Sequence, residues 1–249
     1  MGALHAGHLS LIAQARQATD ETVCSIFVNP TQFNDPKDLE KYPRTLETDS
    51  TLLEQAGCDI LFAPQVSEIY DGHEQWHFDI GEPEFLLEGK FRPGHYQGVT
   101  HVVYLLFDIV KPDVAFFGQK DYQQFMIISI MVAKLHIPVK LVMSPIMREA
   151  DGLAMSSRNV HLSLDDRKHA LVLSKTLQWV KDHFDRTKIA ALKEEAEAKI
   201  NAEEGVELDY FEIADGATLH PADEHNKSIV ALVAAKVGKT RLIDNVILV

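Results

Sequence analysis

The feature that most constrains the fold of this chain is the regular alternation of short apolar runs with helical patterns through its first half. Thr22–Val28, Asp59–Pro64, Val114–Phe117 and Val139–Val142 are apolar runs of strand length. Between them lie helical patterns: one from the first residues through Arg16, one over Thr45–Ala56 closed by Gly57, one over Val99–Val110 closed by Lys111-Pro112, and one over Asp121–Leu135. Strands that alternate with helices are joined by right-handed crossovers. The fold class expected is therefore α/β, a Rossmann-like parallel sheet with helices on both faces. Ligands of such sheets collect at the carboxyl ends of the strands.

After Ile146 the pattern changes. Two long amphipathic segments, Leu164–Phe184 and Ile189–Ala202, precede three strand patterns, Leu208–Ile213, Ile229–Val237 and Thr240–Leu248. The division expected is a domain over residues 1–146 and a smaller C-terminal α+β domain over 147–249. Residues 67–97 carry glycines and prolines without a clear period and read as a mobile excursion from the sheet.

The chain opens Met1-Gly2-Ala3-Leu4-His5-Ala6-Gly7-His8 and runs directly into a helical pattern. The free N–H groups and dipole of a helix start attract anions, and glycine lets a phosphate approach the backbone. His5 and His8, three residues apart, can both donate to charge developing on a phosphoryl oxygen. A strand normally precedes such a motif, and here none does.

The net charge of −13 excludes a nucleic-acid surface, which needs excess Lys and Arg. An anionic nucleotide must then meet local cations, assisted by a divalent metal. No apolar run reaches the length of a membrane span and no signal peptide is visible, so the expected location is cytoplasmic. Cys24 and Cys58 sit in apolar contexts and read as small core residues.

Four further constellations could carry chemistry. Gly118-Gln119-Lys120-Asp121-Tyr122-Gln123-Gln124 follows a strand, where Lys120 could meet phosphates and Asp121 could hold ribose hydroxyls; alternatively this is a helix start with Asp121 on the dipole and Lys120 solvated. Asn29-Pro30-Thr31-Gln32-Phe33 ends a strand and offers the Gln32 amide to a small polar acid, or is a simple turn. Met155-Ser156-Ser157-Arg158-Asn159 suits a grip on polyphosphate, or a serine cap before a helix. His73-Glu74-Gln75-Trp76-His77 has the H-E-x-x-H pattern of a zinc site, but that chemistry requires a helix. Gly72 and the strand period of Trp76, Phe78 and Ile80 argue against one.

Met1–His8, Ser25–Phe33, Tyr42-Pro43-Arg44-Thr45, Gly118–Gln124 and Arg148–Asn159 together resemble the pantothenate synthetase (pantoate–β-alanine ligase) family, within the His-x-Gly-His nucleotidyltransferase superfamily. The resemblance covers essentially the whole chain. It implies that pantoate attacks the α-phosphorus of ATP to give pantoyl adenylate and pyrophosphate, after which β-alanine displaces AMP. Carried over by position, His8, His5 and Lys120 are the catalytic group, with His8 the proton donor. Met1, Gly2, Ala3, Leu4, His5, Ala6, Gly7, His8, Gly118, Gln119, Lys120, Asp121, Met147, Met155, Ser156, Ser157 and Arg158 bind ATP, and Gln32 and Gln124 bind pantoate and β-alanine. Mg2+ is implied on the ATP phosphates with no protein metal site, and so is a homodimer built through the larger domain. Tyr42, Asp49 and Arg92 match family positions on the wall of the site, outside the catalytic group.

Family members carry an additional N-terminal strand before residue 1. The resemblance therefore implies a truncated start, or another segment in its place, with reduced stability and activity. Two rival readings follow from the same pocket: a nucleotide-binding but catalytically impaired module, and an adenylyltransferase that joins no amine.

Overall fold

A computed structural model describes residues 2–34, 36–70 and 75–249. The chain forms two compact units, residues 1–119 with 123–145, and residues 120–122 with 146–249.

In the first unit the elements run α1 (Ala6–Ala18), β1 (Val23–Ser25), a 3-10 turn (Pro30–Gln32), α2 (Pro36–Lys41), α3 (Leu46–Gln55), β2 (Ile60–Phe62), α4 (Val66–Ile69), α5 (Leu87–Phe91), α6 (His95–Val110), β3 (Val114–Gly118), α7 (Tyr122–Lys134) and β4 (Lys140–Ser144). Tyr122, the first residue of α7, belongs to the second unit. β1 pairs in parallel with β2, Val23 opposite Ile60, and β3 with β4, Val114 opposite Lys140. Parallel neighbours need a crossover, supplied by α2 and α3 in the first pair and by α7 in the second. Among the described residues no ladder joins the two pairs. β1 and β2 are shorter than their apolar runs because ladder pairing, not hydrophobicity, ends them, whereas β3 and β4 run on past theirs to Gly118 and Ser144. Past Ser25 one further bond, Ile26 N–H to the Phe62 carbonyl, continues the first pair.

Two apolar clusters among the described residues lie in this unit. Ile12, Cys24, Ile26 and Leu53 pack α1 and α3 on the first pair, and Phe78, Ile80, Tyr96, Val99, Phe107, Ile127, Ile128 and Met131 join α6 and α7. Ile127, Ile128 and Met131 are all fully buried, which spreads the apolar surface of α7 over more than one face. Residues 75–97 differ from the sequence expectation. Phe78 and Ile80 are buried, and the Gln97 side chain bonds both the amide and the carbonyl of Phe78. The alternation of Trp76, Phe78 and Ile80 with exposed neighbours marks the buried side locally, and the Gln97 side chain, distant in sequence, holds the stretch in place.

In the second unit α8 (Leu164–Asp182) and α9 (Ile189–Asn201) accompany an antiparallel sheet ordered β5 (Val206–Asp215), β6 (Ile229–Val237), β7 (Thr240–Ile247). Ser163 and Asp166 form a reciprocal cap at the start of α8. β6 is the central strand and is buried almost throughout. Leu173, Leu177, Ile200, Phe211 and Ile213 complete its core.

Candidate functional site

His5 is the N-cap of α1, and its Nδ1 accepts the Gly7 amide at 3.2 Å. The His8 Nδ1 accepts the His5 amide at 3.3 Å. The two imidazoles thus build a capping box from nitrogen acceptors, with ring centroids 4.0 Å apart. A ring nitrogen that accepts carries no hydrogen, so in each neutral ring the hydrogen sits on Nε2. Both residues therefore have an Nε2–H donor at a helix start whose first turn holds no acidic side chain.

The turn ahead of His5 is strained. Ala3 has φ of 49°, a conformation a residue with a Cβ seldom adopts. The buried Asp49 of α3 secures it: its carboxylate accepts the amides of Ala3 and Leu4 at 2.9 and 2.8 Å and the Thr45 hydroxyl at 3.2 Å. Met1 lies outside the described residues.

Gln32 ends the 3-10 turn after β1. The Asn29 Oδ1 receives the Thr31 amide (3.2 Å), the Thr31 hydroxyl (2.9 Å) and the Tyr70 hydroxyl (2.8 Å), which fixes it as the oxygen end of that amide. Asn29 Nδ2 then donates to the Gly98 carbonyl at 3.1 Å and to the Gln32 Oε1 at 3.3 Å. The Gln32 oxygen is thereby engaged and its N–H donors are directed elsewhere. The Gln32 carbonyl is held by His95 Nδ1 at 2.9 Å and by Arg92 at 3.5 Å. Tyr42 packs edge-on against Phe33. No hydrogen bond joins Gln32 to Gln124 among the described residues, and both amides are half-buried.

Gly118 closes β3 opposite Ser144 of β4, and a Cβ on Gly118 would meet only open space. The Ser144 hydroxyl is buried and has no hydrogen-bond partner among the described residues. Gln119–Asp121 form a 3-10 turn into α7. Lys120 Nζ lies 3.3 Å from Asp121, with only 19% of its side chain exposed. Asp121 thus pairs with the lysine as well as standing at the helix start, rather than leaving Lys120 solvated.

In the second unit the Met155 amide donates to the Met147 carbonyl at 3.0 Å, and Arg148 bridges Ala154. These bonds make a narrow turn that presents Met155–Arg158. Ser156 accepts the Arg158 amide at 3.2 Å and caps the 3-10 turn Ser157–His161. Asn159 donates to Glu149 and to the Ala154 carbonyl, closing the loop. Arg167 pairs with Glu149 and Asp151; its hydrogen bond holds the Glu149 carboxyl below its ordinary value.

Of the zinc-like pentad, His73 and Glu74 lie outside the described residues. Gln75–Ile80 are not helical, and Trp76 stacks on His101 while donating to Thr100. Among the described residues no group of three or more His, Cys, Asp or Glu could hold a metal ion. Burial pushes the Cys24 thiol up to about 12, which removes it as a nucleophile.

The family model for pantoate–β-alanine ligase matches residues 1–247. The chain belongs to the pantoate–β-alanine ligase family. A pantothenate synthetase from Acetivibrio thermocellus is 47% identical over 99% of this chain and 89% of its own length, and one from Bacteroides fragilis is 45% identical over 99% and 88%. Among solved structures, the pantothenate synthetase of Thermus thermophilus superposes with a TM-score of 0.94 at 42% identity, covering 99% of this chain and 90% of that one. The Francisella tularensis pantoate–β-alanine ligase, described as complexed with β-γ ATP and β-alanine, gives 0.81 at 36% identity, covering 99% and 87%. Within this ligase the supporting roles of Tyr70 and Asn245 had no local sequence signal. Their partners are 41 and 125 residues away.

Proposed function

We propose that this ligase joins pantoate to β-alanine through a pantoyl adenylate, with the pair of Nε2–H imidazoles at the start of α1 as the observation that carries the reading. A pantoate carboxylate oxygen bonds to the α-phosphorus of ATP and the bond to pyrophosphate breaks. The β-alanine amine then bonds to the acyl carbon, loses a proton, and AMP leaves. Negative charge shifts onto pyrophosphate oxygens in the first step, and donors fixed beforehand stabilise that shift without reorganising.

In this reading His5 and His8 contact the triphosphate, with His8 as proton donor, and Lys120 neutralises phosphate charge. Gly2–His8, Gly118, Gln119, Asp121 and Met147 line the nucleotide site, and Met155–Arg158 grip the phosphates. Gln32 and Gln124 orient pantoate. The nucleotide and pantoate site is assigned to residues 1–146 and the phosphate-gripping loop to 147–249. Magnesium enters with ATP as part of the substrate, which suits a protein of charge −13. Homodimerisation rests on the family resemblance, and a cytoplasmic location on the lack of an apolar run of membrane-spanning length in the sequence; no helix among the described residues is long and apolar enough to cross a membrane.

The test is pyrophosphate release dependent on pantoate, followed by AMP release dependent on β-alanine. Nucleotide binding without either would favour a non-catalytic module, and adenylation without the second step an adenylyltransferase.

A further inference from the structure

Two consecutive residues of β7 each reach a different segment assigned above to the nucleotide. Asn245 Nδ2 donates to the main-chain carbonyl of Lys120 at 2.9 Å. Asp244 receives both ends of the Arg148 guanidinium, at 2.7 and 3.1 Å, and Arg148 Nη1 also donates to the Gly152 carbonyl at 3.2 Å. Both β7 side chains are buried, at 4% and 2% exposure. Successive side chains of a strand point to opposite faces, so one rigid strand serves two neighbours at once.

The partners are the segments themselves. Arg148 opens the narrow turn that presents Met155–Arg158, and Lys120 lies between Gln119 and Asp121. A second bond, Tyr122 hydroxyl to the Gly216 carbonyl at 3.0 Å, fastens the Lys120–Tyr122 turn within the same unit. Stability alone does not require such an arrangement. A buried ion pair can commonly be replaced by apolar groups at little cost, whereas its forked geometry fixes direction.

We propose that Asp244 and Asn245 are positioning residues for the nucleotide: β7 holds the Lys120 main chain and the Arg148–Asn159 loop in one fixed relation, so that both meet the same polyphosphate. The proposal rests on the reading of Lys120 and Met155–Arg158 as phosphate groups.

The experiment measures KM for ATP and for pantoate in pantoate-dependent pyrophosphate release, MgATP affinity by calorimetry, and thermal melting, all on the full chain. Asn245→Ala is expected to raise KM and Kd for ATP at least tenfold while KM for pantoate stays within twofold. Asn245→Asp supplies a readout that a merely structural role would not move. A carboxylate cannot donate to the Lys120 carbonyl but a carboxylic acid can, and burial at this position favours the acid form, so the ratio of its KM for ATP to that of wild type should fall as pH is lowered. The pair variant Arg148→Met with Asp244→Leu should melt near wild type and still bind MgATP more weakly. Unchanged MgATP affinity in the folded pair variant, or an equal rise in both KM values for Asn245→Ala, would overturn the proposal. A wild-type chain without pantoate-dependent pyrophosphate release would instead overturn the ligase reading, and MgATP affinity would still decide the positioning.

Discussion

Asp49 bridges the two consecutive backbone amides of Ala3 and Leu4 through its two carboxylate oxygens, one oxygen to each. The acid is only 1% exposed, so α3 commits a buried charge to holding the turn that precedes His5. Without those acceptors the left-handed Ala3 has little to keep it there. Asp49→Ala should lower stability by about 1.5–3 kcal/mol, the scale of hydrogen bonds to a charged group. It should slow pantoate-dependent pyrophosphate release at least tenfold. Denaturant unfolding and the release assay check the two effects, and Asp49→Asn, which keeps one acceptor, should fall between.

Gly98 of α6 faces the Pro30–Gln32 turn so closely that a Cβ there would collide with the Thr31 carbonyl and stand 2.8 Å from the Gln32 amide nitrogen. Both contacts are backbone and cannot rotate away. Gly98→Ala should destabilise the chain by about 1–3 kcal/mol and raise KM for pantoate more than KM for ATP. A variant with wild-type melting and kinetics would show that the turn yields freely.

The Arg167 cluster sets an acid limit. The Arg167 hydrogen bond holds the Glu149 carboxyl below its ordinary value of about 4.3. Asp151 is also held low: the Leu153 amide and Arg167 outweigh a burial effect that acts upward. Carboxyls lowered in the fold contribute stability above their ordinary values and lose it as pH falls through the folded ones. Burial acts in the opposite sense on Asp244 and pushes it upward, against Arg148. Comparing wild type with Arg167→Met removes that background. Their difference in melting temperature should be full at pH 6 and shrink steadily below about pH 4.3.

Cys24 and Cys58 should resist thiol reagents in the native state. Burial raises both thiols, Cys24 to about 12, so neither is a thiolate near pH 8. Labelling with iodoacetamide should be slow until denaturant is added. Fast native labelling would show that the Cys24 core opens readily.

What could be read from the sequence follows the range of each interaction. The helix over Leu46–Gln55, its stop at Gly57, and the strand ending at Gly118 depend on periodicity and on single-residue conformational limits, and these are local. The capping role of His5 and His8 was hidden because histidine is an unusual N-cap; the spacing predicted phosphate donors but not which ring nitrogen carries the hydrogen. The hold of Tyr70 on Asn29, and of β7 on Lys120 and Arg148, cannot be seen in any window of sequence. Those bonds exist only once the sheets have formed.

The orientation of Gln32 gives the sharpest test of substrate recognition. Three donors converge on Asn29 Oδ1, so its N–H groups must face the Gly98 carbonyl and Gln32 Oε1. Gln32 then has N–H groups to give, and an acid substrate supplies the acceptors they need. Asn29→Asp changes that polarity without changing shape. Its carboxylate would face two acceptors, and Gln32 would relieve the repulsion by turning its N–H groups inward and its oxygen toward the substrate. An oxygen facing a carboxylate repels it, so KM for pantoate should rise by one to two orders of magnitude while KM for ATP stays within twofold. Lowering the pH should recover part of the loss, because a protonated Asp at position 29 can donate once to Gln32. Equal changes in both KM values, with no recovery at low pH, would mean that Asn29 supports the fold and not the polarity of Gln32.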